Sequence, residues 1–386
     1  MANALNVFVQ NQPVGELFLE GGKTVFRYHS GVNTEQFVSL TMPVRGRDYV
    51  HDRLFPLFEM HLPEGYLLSV IKRHFSKLVT TDDFGLLKLL APSVEGRVSY
   101  ASSLPSFDML PLDELLQATG EKPLFDELVA RFALRSPLSG VQPKVLAHLQ
   151  DKASLQLGSY IVKAWGADYP QLALNEYWCM RVLQAAKIPV PEFYLSNDAA
   201  LFVMKRFDLA ADGCALGFED MCVLQARQRD DKYVGSYEQV AKTIKTFVAP
   251  ARKAAALAQF FKMMVLNQLL QNGDAHLKNF GLVYEGIDSV RLAPAYDVVS
   301  TTAYLQNDLS ALTMMGSRKW WARKHLLQFG TSACDLTLRE ASALYDDCLQ
   351  AIAQIESEVN AACLSASNAD ARHVLEHLLS LMKKAI

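Results

Sequence analysis

Four polar residues in the second half of the chain fall within six positions. Asp274, His276, Lys278 and Asn279 occupy the run NGDAHLKNF at 272–280, and Asp297 follows eighteen residues after Asn279. An aspartate that orients a hydroxyl, an asparagine five residues on and a second aspartate returning on a hairpin is the spacing that phosphoryl transfer uses. Asp274 would orient or deprotonate the attacking hydroxyl. The amide oxygen of Asn279 and the carboxylate of Asp297 would supply hard oxygen ligands for Mg2+ bridging the phosphates. A polar loop with an Asx turn at Asn272-Gly273 accounts for the first half of this pattern; it does not account for Asp297 in the setting Pro-Ala-Tyr-Asp.

The same chemistry needs a phosphate-contacting loop, a strand lysine and a helix acid upstream, and candidates occur in that order. Residues 139–144, SGVQPK, form a loop with one glycine and no Gly-Lys-Thr, so it is not a Walker loop. Taken alone it is a turn; in this order Gly140, Val141, Gln142 and Lys144 become nucleotide-contacting candidates. Lys163 follows the apolar pair Ile161-Val162, as a strand lysine reaching the α- and β-phosphates would. Glu176, on the next helical segment, could pair with it. A lone strand lysine or a lone helix acid is ordinarily solvated surface; the order gives them weight.

The elements that must position these groups are readable in outline. Residues 6–9, 14–19 and 24–28 alternate apolar and polar, separated by Asn11-Gln12-Pro13 and Gly21-Gly22, and predict a small antiparallel sheet. From about Asp52 the period becomes helical through Leu54, Leu57, Phe58 and His61, then Leu67, Leu68, Ile71 and Phe75, with Pro63-Glu64 at a helix start. Thr81-Asp82-Asp83 caps a helix over 84–90. Residues 102–111 read as a linker and 112–132 as a short helical segment. Strand-like runs at 145–149, 159–163, 188–195 and 201–206 flank a helix at 171–186. From Glu238 onward the chain is mostly helical, interrupted at 271–302, with amphipathic helices at 336–363 and 369–384.

Composition bounds the function. The 386 residues are 50% hydrophobic, and 38 basic against 41 acidic residues leave a formal charge of −3. That balance gives no global drive toward nucleic acid or an anionic membrane. The six cysteines, all between 179 and 363, form no CxxC pair and read as incidental thiols of a reduced cytoplasmic protein. MANALNVFVQNQ has no basic stretch followed by an apolar one, so no secretory signal is expected. The most apolar run, 254–270, is broken by Gln259, Lys262, Asn267 and Gln268 and predicts a buried helix, not a membrane span.

Read together, LSGVQPK at 138–144, IVK at 161–163, NEY at 175–177, KRFD at 205–208, NGDAHLKNF at 272–280 and PAYDVVS at 294–300 resemble the HipA family of serine/threonine protein kinases, toxins of bacterial toxin–antitoxin systems. The resemblance runs over nearly the whole chain, including LPEGY at 62–66 in an N-terminal subdomain. It implies an α+β, two-lobed protein-kinase-like fold with an N-terminal β-rich subdomain over 1–108, a kinase N-lobe over 109–218 and a mostly helical C-lobe over 219–386. It implies Asp274 as the catalytic aspartate and Asn279 and Asp297 as magnesium ligands. It places Lys163 on the ATP phosphates and His276 and Tyr296 in the nucleotide site, and puts Glu219 and Met221 in a hinge reading the adenine edge. It implies that a serine of the Gly-rich loop, Ser139 or Ser136, is autophosphorylated, which ejects the loop and silences the kinase; a commonly matched position, three before Gly140, is Pro137 here. It further implies ATP and Mg2+ as cofactors and an aminoacyl-tRNA synthetase, glutamyl-type, as substrate. Growth arrest would follow, with neutralisation by a small helix-turn-helix antitoxin (HipB-like) that carries the operator-DNA contact.

Two other readings remain open. Asp-x-His-x-x-Asn also occurs in aminoglycoside and choline kinases, and a catalytically silent corepressor would keep the fold without the chemistry. Outside the kinase pattern, RKWWARKH at 318–325 is the strongest basic–aromatic cluster, a candidate nucleic-acid or antitoxin contact that reads first as a helix with Trp320 or Trp321 in the core. RQRDDK at 227–232 reads as an exposed loop, and His373 and His377, four apart on a helix, as coincidence rather than a metal site.

Overall fold

The computed structural model describes residues 4–62, 82–91, 94, 96–100, 153–157, 160–164 and 168–386. The expected linker at 102–111, the segments at 112–132 and 145–149, the loop at 136–144 and the helix start at 63–64 lie outside the described residues.

The first three strands form a meander: β1 (Ala4–Val9), β2 (Gln12–Glu20) and β3 (Lys23–Tyr28). Their turns are two-residue turns with positive φ, Gln10-Asn11 at 49° and 63° and Gly21-Gly22 at 57° and 79°, the hand that matches strand twist. The first turn thus falls one residue earlier than the proline suggests, and Pro13 is taken into β2 beside a register shift at Val7/Phe8. Two short strands that alternation does not reveal, β4 (Tyr49–His51) and β5 (Val98–Ser99), complete the order β4-β3-β2-β1-β5. Val7, Val14, Leu17 and Phe26 from this sheet pack with Phe58 of α1 (Pro56–Met60) and Leu87 of α2 (Asp83–Leu90) in one core. Asp82 caps α2 as expected, accepting from the Gly85 N–H at 2.7 Å.

A second antiparallel sheet, β6 (Ala153–Leu157), β7 (Tyr160–Ala164), β8 (Phe193–Leu195) and β9 (Phe202–Lys205), has the order β6-β7-β9-β8 and carries α3 (Leu172–Ala185). A three-stranded sheet follows, β10 (Gly217–Asp220), β11 (Gly281–Tyr284) and β12 (Arg291–Leu292). The helices around it are α4 (Met221–Leu224), α5 (Tyr237–Phe247), α6 (Lys253–Leu269), α7 (Arg323–Ala333), α8 (Leu338–Ser365) and α9 (Ala369–Ala385). This is the two-lobed kinase-like fold. The apolar run at 254–270 is α6, and Phe260, Phe261, Met264 and Val265 are fully buried. No helix among the described residues is long and apolar enough to cross a membrane.

Some expectations change. Trp320 and Trp321 precede α7 rather than riding on a helix; each is half-buried, and the Trp320 indole N–H donates to the Asp308 carbonyl at 3.1 Å. The run at 227–232 is not an exposed loop. Its Gln228 amide donates to the Leu54 carbonyl at 3.2 Å, and the Arg229 backbone N–H donates to the buried Glu59 carboxylate at 2.7 Å. The Arg229 guanidinium pairs with Asp83 at 2.7 Å. A charged run was therefore spent on an internal interface, with the N-terminal sheet's own helices as partners.

The second tie between the N-terminal sheet and the rest is Glu219 on β10. Its carboxylate accepts from the Ser39 hydroxyl at 2.6 Å, the Leu40 N–H at 2.8 Å and the Tyr284 hydroxyl at 2.5 Å. Beside it, Phe37 stacks on Tyr284 at 5.5 Å, and the Arg97 guanidinium covers the Phe37 ring at 4.5 Å. Burial raises the Glu219 carboxyl above its ordinary value of 4.5, against the opposing pull of its three donors. The sign follows. A folded state that holds this proton to higher pH than the unfolded chain loses stability as pH rises from the ordinary value through the raised one. Glu219→Gln removes that slope. Melting temperatures of the two proteins, compared from about pH 4 to about pH 8, should move in favour of the glutamine variant as pH rises. A gap independent of pH would refute this account of Glu219.

Candidate active site

Lys163, on β7, points from its strand into the space between the two lobes and is 5% exposed. Its ammonium donates to Glu176 Oε1 on α3 at 2.6 Å and to Asp297 Oδ1 at 2.7 Å. The other Asp297 oxygen accepts from the Asn279 amide nitrogen at 2.7 Å, and Asn279 Oδ1 accepts from the His276 N–H at 2.9 Å. Strand, helix, catalytic-type loop and returning hairpin thus meet in one connected set of charge-assisted hydrogen bonds.

Each member is held from behind. Asp297 sits at φ 59°, in the left-handed region that aspartate tolerates better than most residues. The chain just after it is clamped to α3: the Ser300 N–H donates to the Asn175 side-chain oxygen at 2.8 Å, and the Asn175 amide returns to the Ser300 carbonyl at 2.9 Å. Ahead of it, Tyr296 stacks on Phe207 at 5.2 Å and donates its hydroxyl to the Lys278 carbonyl at 2.7 Å. Lys278 pairs with Asp220 at 2.9 Å, and Asp220 also caps α4 through the Val223 N–H at 3.0 Å.

The loop bearing Asp274 is equally tied. The Gly273 N–H donates to Thr301 Oγ1 at 2.8 Å, and the Asp274 N–H to the Asn272 side-chain oxygen at 3.1 Å. A Cβ on Gly273 would lie 2.0 Å from Asp308 Oδ2 and 2.7 Å from Thr301 Oγ1, so a larger residue would displace those two side chains. The Asp274 carboxylate accepts from the Tyr233 hydroxyl at 2.6 Å, and the His276 ring lies beside it, Nε2 3.8 Å from Oδ1.

The structure therefore brings Lys163, Glu176, Asp274, His276, Asn279 and Asp297 together, with Tyr296 directly behind. Glu219 and Met221 stand apart from that set in their bonding. The Glu219 carboxylate is spent on the N-terminal sheet, and the Met221 N–H donates to the Phe280 carbonyl at 3.0 Å. Ser136, Ser139, Gly140, Val141, Gln142 and Lys144 lie outside the described residues. His373 and His377 face the segment after Asp297, through the Ala303 carbonyl and the Thr302 hydroxyl. Among the described residues no three His, Cys, Asp or Glu side chains group as a metal site. Tyr233, Asn175 and Thr301 were missed in the sequence; only tertiary contacts, 28 to 125 residues apart, reveal them.

Asp297 offers hard carboxylate oxygens, the donor chemistry that suits Mg2+; Asn279 turns its amide nitrogen to Asp297 and its oxygen to the His276 N–H, so it would add a second oxygen there by turning its amide over. The Lys163 ammonium, held between Glu176 and Asp297, shows that the Asp297 carboxylate accepts a cation. The set could neutralise and align a polyphosphate while Asp274 receives a proton.

Comparison with known proteins agrees with this geometry. A family model described as the HipA-like C-terminal domain matches residues 136–356, and one described as the HipA N-terminal domain matches residues 5–101. A protein of Sinorhizobium fredii strain NGR234, Y4dM, named as a candidate kinase, is 28% identical over 349 residues, 82% of this chain and 81% of its own length. A second from that organism, Y4mE, similarly named, is 27% identical over 351 residues, covering 82% of each chain. A chain in the solved complex of the Shewanella oneidensis MR-1 toxin–antitoxin system, HipA, HipB and operator DNA, shares the fold. It superposes with a TM-score of 0.69 at 16% identity, over 98% of this chain and 97% of that one.

Glu176 is fully buried, so Lys163→Ala would leave its charge without this partner, at a cost of about 3 kcal/mol. Lys163→Ala should therefore melt well below the native protein, and adding Glu176→Gln should recover part of the loss. A double variant no more stable than the single one in thermal melts would rule out charge burial as the cause.

Proposed function

The chain belongs to the HipA family, and from that premise we propose that it is an Mg-ATP-dependent serine/threonine protein kinase serving as the toxin of a toxin–antitoxin pair. The observation that carries the reading is the single bonded set of Lys163, Glu176, Asn279 and Asp297 beside Asp274. The kinase names of the relatives support it.

Asp274 orients the acceptor hydroxyl and takes its proton as the oxygen bonds to the γ-phosphorus. The bond from that phosphorus to the β,γ-bridging oxygen breaks, and ADP leaves. Lys163, kept in place by Glu176, exchanges its Asp297 contact for phosphate oxygens. Asn279 and Asp297 would hold Mg2+, and the ion would supply charge neutralisation for the phosphates. His276 and Tyr296 line the nucleotide side, and Glu219 and Met221 belong to the hinge that reads the adenine edge. Most of the catalysis is positioning and electrostatics, the work a rigid bonded set does well.

The finer reading extends the resemblance. The substrate is an aminoacyl-tRNA synthetase, glutamyl-type, and the enzyme silences itself by phosphorylating Ser139 or Ser136. Its partner is a helix-turn-helix antitoxin that brings operator DNA; the Shewanella complex of HipA, HipB and operator DNA supports such a partner. The N-terminal subdomain over 1–108, the N-lobe over 109–218 and the C-lobe over 219–386 are the working units, in the cytoplasm.

Intact mass after incubation with Mg-ATP, followed by peptide mapping, tests the proposal. The native chain should gain phosphate on Ser136 or Ser139, and Asp297→Ala should gain none. Asp274→Ala should lower turnover far more than it lowers ATP affinity. Phosphate on both native and Asp297→Ala chains, or on neither, would overturn the assignment.

A further inference from the structure

We infer that Tyr233 is a positioning residue for the phosphoryl-transfer reaction: it fixes the Asp274 carboxylate through Oδ1 and leaves Oδ2 to receive the acceptor hydroxyl. This rests on the reading of Asp274 given above, and goes beyond it in assigning a role to the segment that precedes α5.

The Tyr233 hydroxyl donates to Asp274 Oδ1 at 2.6 Å. Asp274 Oδ2 accepts no hydrogen bond among the described residues, and the side chain is 34% exposed. One oxygen is thus held by the phenol, and the other is left able to accept. Tyr233 itself is braced on several sides. Its ring meets the His276 ring edge-on at 5.0 Å, and its carbonyl accepts from the Arg318 guanidinium. The preceding carbonyl, of Lys232, accepts from the Leu277 N–H of the catalytic-type loop at 3.0 Å. Farther back, Gln228 and Arg229 fasten the same segment to Leu54, Glu59 and Asp83. Ahead, the Thr313 N–H donates to the Gly235 carbonyl at 3.2 Å. A phenol on a strap fastened at both ends is a rigid donor, and a carboxylate otherwise free to rotate needs one.

An aspartate that must meet a hydroxyl within hydrogen-bond reach loses rate steeply when its orientation is lost. Tyr233→Phe keeps the ring and its packing and removes only the donor. The measurements are steady-state conversion of Mg-ATP to ADP, the KM for ATP, and melting temperature, on the full chain. The expected result is a kcat about tenfold lower, an unchanged KM and an unchanged melting temperature. In an Asp274→Ala background the same change should have no further effect, because the acceptor of the bond it removes is already gone.

Equal kcat for Tyr233→Phe and the native chain would overturn the inference, as would a higher kcat, which would make the phenol an obstruction. Phosphate mapped to Tyr233 in the native chain would also overturn it, since the phenol would then be an acceptor. If the native chain turns over no more ATP than Asp297→Ala, the kinase reading itself has failed. That outcome is distinct from a native chain that is active and indifferent to Tyr233.

Discussion

One ammonium group ties the two lobes at the site. Lys163 comes from a strand of the small sheet, Glu176 from the helix that sheet carries, and Asp297 from a hairpin of the helical lobe. No two of these are neighbours in sequence. Burying a lysine at 5% exposure and a glutamate at 0% is costly unless each is matched. The match therefore demands that strand, helix and hairpin stand at a fixed separation. The Asn175–Ser300 clamp and the aromatic stack of Tyr296 on Phe207 serve that separation from either side of Asp297. Asn279 then inherits its orientation from Asp297, and the loop carrying Asp274 inherits its own from Thr301 and Asp308 just beyond the hairpin.

The N-terminal sheet is part of this arrangement rather than an appendage. Its contacts converge on two places, the carboxylate of Glu219 on β10 and the strap at 228–233. Both adjoin the elements that bear Lys278, Asp274 and Asn279. The interface is polar at its anchors and aromatic between them, with Arg97 lying over Phe37 and Tyr284. Such buried polar anchors specify one docked orientation, because any other leaves Glu219 or Glu59 without its donors.

Much of the fold was legible. The meander of β1 to β3, the cap on α2, α3, α6 and the two C-terminal helices follow from alternation, helical period and capping residues. The spacing of Asp274, Asn279 and Asp297 stood out because those residues are close in the chain, and Lys163 and Glu176 because strand and helix follow each other directly. What was not legible depended on distant partners. Strands β4 and β5 have three and two residues and are paired by neighbours the local pattern does not announce. RQRDDK has the composition of a solvated loop, and its Gln228 and Arg229 are drawn into an interface because Leu54, Glu59 and Asp83 happen to meet them. The fate of the Glu219 side chain was set by Ser39, 180 positions away. Tyr233 has no periodicity or motif to mark it, and its partner is 41 residues on.

Asp297 stands in the left-handed region of backbone space, at φ 59°. Few side chains accept that conformation without strain, and asparagine is one of the few. The genetic code puts asparagine one base change from aspartate. The replacement would keep the backbone and remove the carboxylate charge; Lys163 would still have Glu176, but an amide has one acceptor oxygen where the carboxylate offers two, so Lys163 and Asn279 could not both keep their bonds to it. One base change at this codon thus spares the backbone conformation while it removes the charge on which two lobes converge.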